Sequence, residues 1–414
     1  MIKPLTSAVL AIASVAALAA QPRATVPGPE PIALTNASVV NVRTGAVLRN
    51  ATVVLRGGRI ESVGTGSAPT GVRAMDLRGR YAVPGLIDAH VHIGGIAQMR
   101  PALESGVTTV RSAGVSHYVD VGLRELVRRG FIAGPDMIAA GYHVRPSIAG
   151  EILLDFPDLG DLMSSGGVLG ADSLRRAIRA NLSRGVDWIK TLATERAGTP
   201  DTDPRKQVYS QEELRIIVVE AGAKDIPVMA HAHGAEGADA AVRAGVRSIE
   251  HGTYLTDETL RLMAKQGTYF DPTADIVGDL VEPGGEYDNA ALKRRGEMMR
   301  PILMSAIGRA AKLGVKIVAG SDTGYGPNSI ARVSREAVVL VEAGLTPLQA
   351  LQAATITNAE MLRLDKRIGV LENGFEADVL VVDGNPLDNI RTLLDPLLVI
   401  SNGRLALDRL TFGK

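Results

Sequence analysis

Apolar, strand-like runs alternate with amphipathic helical segments through the middle of this chain. The helical segments repeat their apolar residues every three to four positions, as at 211–223, 256–265 and 329–343. Strands that alternate with helices in this way are typical of a parallel α/β sheet. Eight such strands predict an α/β fold built on a closed (β/α)8 TIM barrel, and they are expected at 82–87, 108–112, 137–141, 188–192, 227–230, 248–249, 268–270 and 316–319.

The two chain ends have a different texture, with short β-branched runs separated by turns such as Gly57-Gly58. Because both ends share this texture, we predict a small β-sandwich domain formed by 31–81 and 365–414, with the barrel between them at 82–364. The strands of this domain are expected at 33–42, 51–56, 59–63, 74–76, 378–383, 397–401 and 404–407.

The N-terminus has the features of a targeting segment. Lys3 precedes an alanine-rich apolar run, and Ala17 and Ala19 fit a small-residue cleavage site. The run is too short for a good membrane span, so we predict a secretory signal peptide at 1–19 and a proline-rich linker at 20–30. Cleavage predicts a periplasmic or secreted protein with no stable membrane anchor, and an uncleaved N-terminal anchor is the alternative.

Composition excludes several classes of function. The 45 acidic and 45 basic residues balance, and aromatic residues make up only 3% of the chain, so neither nucleic acid nor an anionic membrane is expected as a partner. Cysteine is absent, which excludes a thiolate metal site and a cysteine nucleophile. A metal ion would have to be bound by histidine and oxygen ligands.

Ligand-type side chains stand at the ends of the predicted strands. The C-terminal ends of all strands in a parallel barrel open on one face, where active sites are formed. Positions two apart on an extended chain point the same way, so both histidines of an H-x-H motif can bind one ion. Each residue alone has an ordinary structural explanation, but together they predict one metal site formed by His90, His92, Lys190, His231, His251 and Asp322.

Five motifs resemble the amidohydrolase superfamily, in its imidazolonepropionase-like branch of Xaa-Pro dipeptidase-type enzymes: PGLIDAHVH, WIKTLAT, AHAHG, SIEHGT and AGSDTG. The resemblance also includes the C-terminal ADVLVVDGNPL and spans essentially the whole mature chain. It implies two divalent metal ions, with Zn²⁺ the expected metal. By this resemblance one ion is held by His90, His92 and Asp322, the other by His231 and His251, and both are bridged by Lys190 as N6-carboxylysine.

The resemblance implies hydrolysis of the amide bond of a dipeptide or an N-acyl amino acid. Two ions together lower the pKa of a bridging water to roughly 7, which makes hydroxide available to attack the amide at neutral pH. Asp322 would accept the proton of this water and pass it to the leaving amine. His143 would contact the scissile carbonyl as a catalytic or substrate-binding residue. The resemblance also implies a homo-oligomer, of no stated size, that acts on a small-molecule or dipeptide substrate.

Four further residues are candidates for substrate contact. Arg145 has a planar guanidinium that suits a substrate carboxylate, and Tyr142 belongs to the same segment. His233 shares the AHAHG motif and would lie near the metal ligands or the substrate. Tyr254 could donate a hydrogen bond to substrate, and packing is the alternative for it.

One segment departs from many relatives, which carry a Gly-Gly pair soon after the lysine of the fourth strand. Here the segment reads KTLATERAGTPDTDPRKQ, and Glu195 and Arg196 place charges at the barrel mouth. This charged version resembles enzymes that hydrolyse N-acyl aromatic amino acids, including the ochratoxin-degrading amidohydrolases. The alternatives are a cyclic-amide hydrolase or deaminase on the same scaffold and, from another class, a catalytically inactive binding protein.

Overall fold

The computed structural model describes residues 28–147, 150–164, 167–283, 287 and 289–410 of the 414. The predicted signal peptide at 1–19 and most of the predicted linker at 20–30 lie outside the described residues. In the part of the chain that is described, no helix has both the length and the hydropathy of a membrane span.

Strands from both chain ends form one eight-stranded sheet, and the described strands between them belong to the barrel. The strands, in chain order, are β1 (Ile32–Val40), β2 (Val47–Arg56), β3 (Arg59–Thr65), β4 (Arg73–Asp76), β5 (Tyr81–Pro84), β6 (Leu86–Val91), β7 (Val107–Ser112), β8 (Asp136–Ile138), β9 (Ile189–Leu192), β10 (Val228–Ala232), β11 (Ser248–His251), β12 (Tyr269–Asp271), β13 (Val379–Val382), β14 (Leu398–Ser401) and β15 (Arg404–Asp408).

The sheet of the chain ends has the strand order β15-β14-β13-β5-β1-β2-β3, with β4 paired to β1. Its apolar side chains, among them Leu34, Leu55 and Ile400, form a cluster separate from the main barrel core. Both chain ends therefore contribute to one β-domain, as the shared texture of the two ends predicts.

Helices connect the barrel strands, and several begin at the caps that the sequence provides. Ser210 and Glu213 form a reciprocal capping box at the start of the sixth helix, and Thr256 caps the eighth. The helices are α1 (Ile96–Glu104), α2 (Val119–Arg128), α3 (Ile152–Asp155), α4 (Gly160–Ser164), α5 (Ala171–Ser183), α6 (Gln211–Gly222), α7 (Ala235–Ala244), α8 (Asp257–Gln266), α9 (Ala274–Asp279), α10 (Ala290–Lys312), α11 (Val333–Glu342), α12 (Pro347–Ala353) and α13 (Ile356–Leu362), with 3₁₀ turns at Ser116–Tyr118, Pro157–Leu159 and Ile390–Leu394.

Eight segments close the barrel. β6, β7 and β8 pair in parallel with one another, as do β9, β10, β11 and β12. Single parallel bridges join these groups and add the eighth segment, where Phe270 pairs with Ile317. The ring closes where the Ala89 amide donates to the Ala319 carbonyl at 3.0 Å. The predicted (β/α)8 barrel is confirmed, although the segment at 316–319 pairs through isolated contacts and does not form a regular strand.

The bounds of the first predicted barrel strand, at 82–87, are wrong, because this range spans two strands of different sheets. β5 pairs antiparallel with β13 in the sheet of the chain ends, whereas β6 pairs in parallel with β7 in the barrel. The strands meet at Gly85, but the apolar run AVPGLIDA shows no change of periodicity there. As a consequence His90 lies inside β6, and His231 lies inside β10, not beyond the strand ends.

We predict that Gly85→Ala lowers the free energy of unfolding by about 1–3 kcal/mol, measured by urea denaturation. A methyl group at this position would collide with the buried side chain of Thr108 in β7. Adding Thr108→Ala should recover part of the loss, and strictly additive effects would contradict the contact. Gly64→Ala is the control, because its methyl group would meet no atom within 4 Å.

Candidate active site

Side chains from separate barrel segments converge on one cavity. Three of them lie in strands, and the other three lie at or directly after a strand end. The cavity is lined by all six predicted ligand residues: His90 in β6, His92 directly after it, Lys190 in β9, His231 in β10, His251 at the end of β11, and Asp322 after the eighth barrel segment.

The first group of ligand atoms surrounds Asp322. Its Oδ1 lies 3.1 Å from His92 Nε2 and 3.4 Å from His90 Nε2. One ligand atom from each of these three residues lies within 4.8 Å of the other two. Lys190 is buried beside them, with its Nζ 3.3 Å from His90 Nε2. This spacing fits three ligands of one metal ion next to a lysine.

The second group consists of His231, His233 and His251, whose ligand atoms also lie within 4.8 Å of one another. The ring centroids of His231 and His251 are 4.4 Å apart, and His233 stacks on His251 at 4.7 Å. The His251 ring is 5.2 Å from the His90 ring, so the two groups adjoin. The structure therefore places His233 among the candidate ligands, a position that the sequence left open.

Hydrogen bonds from the surrounding chain engage one ring nitrogen of each of four histidines and leave the other for a metal ion. A metal-binding histidine ordinarily bonds through its second nitrogen to a carboxylate, a carbonyl or a similar partner, which fixes the ring orientation. The bonds join His90 Nδ1 to Glu250 Oε2 at 2.8 Å, His92 Nδ1 to the Gly114 carbonyl at 2.8 Å, His231 Nε2 to the Glu195 carbonyl at 3.1 Å, and His251 Nδ1 to Thr273 Oγ1 at 2.6 Å.

Burial favours the neutral form of His90, His231 and His251. It lowers the pKa of His90 to about 4, with a further contribution from the charge of Lys190, and it lowers the pKa of His231 and His251 well below the ordinary value. Burial alone would raise the pKa of Asp322, but the histidines beside it hold this pKa below its usual range. Neutral imidazoles and an ionised carboxylate are the donors that divalent cations such as Zn²⁺ require, so the residues present fit a metal centre.

A buried ion-pair network, which sequence reasoning missed, adjoins His90. Arg111 in β7 is fully buried, and its Nη2 lies 2.8 Å from Glu250 Oε2 and 3.3 Å from Asp271 Oδ2. The same Glu250 oxygen bonds His90, and the guanidinium stacks 4.6 Å from the Trp188 ring centroid. Burial and the charge of Glu250 raise the pKa of Asp271. The one available signal was an arginine inside the otherwise uncharged strand VTTVRS.

Asp88 is a further buried carboxylate that supports the site. It accepts hydrogen bonds from the Ser321 amide at 2.9 Å, the Ser321 hydroxyl at 2.5 Å and the Tyr325 hydroxyl at 2.7 Å. Burial raises its pKa to about 6. Asp322 follows this anchored serine with a φ of 54°, in the left-handed region that aspartate tolerates better than most residues. Asp88 thus holds the segment that projects Asp322 into the cavity.

Two of the five predicted substrate-contact residues, His143 and His233, line the cavity. His143 is half-buried, and its Nε2 is buried with no hydrogen-bond partner among the described residues. Its ring lies 5.8 Å from that of His92. The other three, Arg145, Tyr254 and Tyr142, do not line the cavity. Tyr254 packs against the core, and the Tyr142 hydroxyl donates a hydrogen bond to Asp155 at 3.0 Å.

An apolar wall, which no sequence motif indicated, completes the cavity. α9 contributes Ile276 and Val277, and Leu280 follows its end. Tyr287, Leu192 and the segment at 196–198 also line the cavity. The lining of the cavity therefore combines histidines with apolar side chains.

The chain is similar to known hydrolases over most of its length. The sequence model of the protein family described as "Amidohydrolase family" matches residues 81–406 of this chain. Ochratoxinase from Aspergillus niger is 27% identical over 396 residues, which cover 86% of this chain and 82% of the relative. Imidazolonepropionase from Kosmotoga olearia is 27% identical over 405 residues, covering 90% of this chain and 93% of the relative.

Solved structures support the same fold. The crystal structure of a Xaa-Pro dipeptidase with methionine bound in its active site matches with a TM-score of 0.80 and 28% identity. The match covers 91% of this chain and 99% of the dipeptidase. The similarity therefore includes both the barrel and the β-domain of the chain ends.

We predict that Arg111→Met lowers the free energy of unfolding by about 3–5 kcal/mol, because it leaves the buried Glu250 carboxylate without its cation. The measurement is urea denaturation of the metal-free protein. Arg128→Met is the control, since Arg128 and its partner Glu125 lie at the surface and their pair should contribute little. Equal stability of both variants would contradict a structural role for the network.

Proposed function

The chain belongs to the amidohydrolase family and is a hydrolytic enzyme; on this premise we propose that it is a dinuclear metal-dependent amidohydrolase that cleaves the amide bond of a dipeptide or an N-acyl amino acid. One observation carries this proposal. Six ligand-type side chains from separate barrel segments line a single cavity, in two adjoining groups of donor atoms.

In this proposal His90, His92 and Asp322 would hold one divalent ion, and His231 and His251 would hold the second. Zn²⁺ is the expected metal because imidazole and carboxylate donors suit it. The hydrogen bonds that engage the outer ring nitrogens and the neutral state of the buried imidazoles both support the assignment.

We also propose that Lys190 is converted to N6-carboxylysine between the two ions. Burial lowers the pKa of its amine to about 8, which increases the fraction of neutral, nucleophilic amine. The amine nitrogen would attack the carbon of CO₂, forming an N–C bond and releasing one proton to water. The resulting carbamate would supply two oxygen ligands that share one negative charge, whereas an ammonium group would repel two cations at this position.

When bound, the ions polarise the scissile carbonyl and lower the pKa of a water molecule towards 7. Asp322 would accept a proton from the attacking water at one carboxylate oxygen and transfer it to the nitrogen of the leaving amine. His143 would place its buried Nε2 against the carbonyl oxygen, which would provide the hydrogen-bond partner that this nitrogen otherwise lacks among the described residues.

The names of the relatives suggest two groups of amide substrates for this chain, and a screen can distinguish between them. The A. niger relative is an ochratoxinase, and the structural neighbour is a Xaa-Pro dipeptidase. We propose that this chain acts on such N-acyl amino acids or dipeptides, outside the cytoplasm and as a homo-oligomer. His233 would contact substrate or serve as a further ligand.

The experiment is a screen of N-acyl amino acids, dipeptides and cyclic amides against the metal-loaded protein, with mass-spectrometric detection of products. Cleavage of linear amides is expected. Cleavage or deamination of cyclic compounds alone would favour the alternative function on the same scaffold. Absence of turnover in a protein that also fails to bind the second ion in a metal titration would indicate a catalytically inactive binding protein.

We predict that Asp322→Asn reduces kcat by about 10²–10⁴-fold, because the amide cannot accept and transfer the proton. Metal content is measured on the same sample, so that loss of an ion is distinguished from loss of proton transfer. Asp172→Asn, at an exposed position of α5, is the control and should keep wild-type turnover. Wild-type kcat in Asp322→Asn would refute the assigned role.

We predict that Lys190→Ala loses bound metal, measured by elemental analysis, and loses activity with it. Adding a short carboxylic acid such as acetate should restore part of both, because its two oxygens can take the place of the carbamate. Lys265→Ala, at an exposed position of α8, should retain metal and activity. Full metal binding by Lys190→Ala without acetate would contradict the bridging role.

A further inference from the structure

We propose that Arg196 forms an anion-binding subsite of the cavity and holds the carboxylate of the amino acid that hydrolysis releases. This inference rests on the proposed function, and it assigns the substrate class as amino acid derivatives with a free carboxylate. The arginine lies in the loop at 195–203, which follows β9. Its side chain is half-buried and lines the cavity together with His143 and Lys190.

The Arg196 guanidinium has no ion pair or hydrogen bond with any described residue. Its neighbour Glu195 is engaged elsewhere, with one oxygen 2.7 Å from Lys206 Nζ and the other accepting from the Asp203 amide at 2.9 Å. Arg205, further along the same segment, is paired with Asp203 at 2.9 Å. A half-buried guanidinium with no partner, facing a cavity, is an unusual arrangement that an anionic ligand would compensate.

The loop that carries Arg196 is held rigidly in place. Arg295 from α10 donates to four of its carbonyl groups, and the Thr202 hydroxyl donates to the Arg196 carbonyl at 2.5 Å. The Glu195 carbonyl bonds the ligand His231. Arg196 is therefore preorganised relative to the metal centre. The carbonyl acceptors of Arg295 are those of Ala197 at 2.5 Å, Thr199 at 2.7 Å, Pro200 at 3.0 Å and Thr202 at 2.6 Å.

Arg145 adds a second positive charge to the electrostatic field around Arg196. Arg145 is half-buried and makes no ion pair within the described residues. Burial lowers the pKa of Arg145, and repulsion by the charge of Arg196 contributes to this shift. A carboxylate bound by Arg196 would relieve this repulsion, and the planar fork of arginine matches its two oxygens.

The apolar residues that line the same cavity indicate which kind of side chain the released amino acid carries. Ile276, Val277, Leu280 and Tyr287 can pack against an apolar or aromatic side chain. The histidines of the cavity would then contact the scissile amide, and Arg196 would bind the carboxylate. This combination selects N-acyl or N-aminoacyl derivatives of apolar amino acids with a free carboxylate.

The experiment compares the best linear substrate from the screen with its neutral C-terminal carboxamide. For the wild-type protein, kcat/KM should be higher for the acid by about 10- to 150-fold, as expected for a hydrogen bond to a charged group. Arg196→Gln should remove this preference, mainly through a higher KM for the acid, while kcat/KM for the carboxamide stays within about threefold. Arg196→Lys should retain part of the preference, because it keeps the charge but not the fork.

Arg205→Gln is the matched control, since it removes an arginine of the same segment that already has a partner, and it should keep the wild-type preference. If the wild-type protein cleaves acid and carboxamide equally well, the subsite is refuted while the proposed function stands. An equal loss for both substrates in Arg196→Gln would show a structural role and would also refute it. If no linear amide is cleaved at all, the proposed function itself fails.

Discussion

The hydrogen bonds that close the barrel determine where a site can form in this protein. The Ala89 amide donates to the Ala319 carbonyl, and the Asp322 amide donates to the His90 carbonyl at 2.8 Å. These bonds join the first and last barrel segments, so the Asp322 carboxylate lies 3.4 Å from His90 although the two residues are far apart in sequence. Because all C-terminal strand ends of a closed parallel barrel meet at one rim, every ligand-type side chain of the cavity depends on this closure.

The same contacts support stability and orient the site. One oxygen of Glu250 is shared between the Arg111 guanidinium and the His90 ring. An isolated charge in the interior would be strongly destabilising, so the ion pair is needed for the carboxylate to be present at all. Its second contact then fixes which nitrogen of His90 is left for a metal ion. Asp88 has a comparable function on the other side, where it anchors the serine before Asp322.

The metal side and the substrate side of the cavity are also physically connected. Glu195 contacts His231 through its backbone carbonyl and stabilises its own loop through its carboxylate. Arg295 fixes the remainder of that loop through four carbonyl groups. The loop at 195–203 is therefore held in place both at the cavity and by α10.

The sequence by itself determined the architecture and the set of side chains that meet, because apolar periodicity specifies strands and helices, and strand ends of a parallel barrel share one rim. It did not reveal the boundary at Gly85, since the apolar run continues unchanged through two strands. Nor did it reveal the Arg111 network or the apolar wall, because periodicity reports only which face of an element is buried. Which buried charges pair, and which loop residues face the cavity, was decided by the tertiary structure alone, since those distances join elements that only barrel closure brings together.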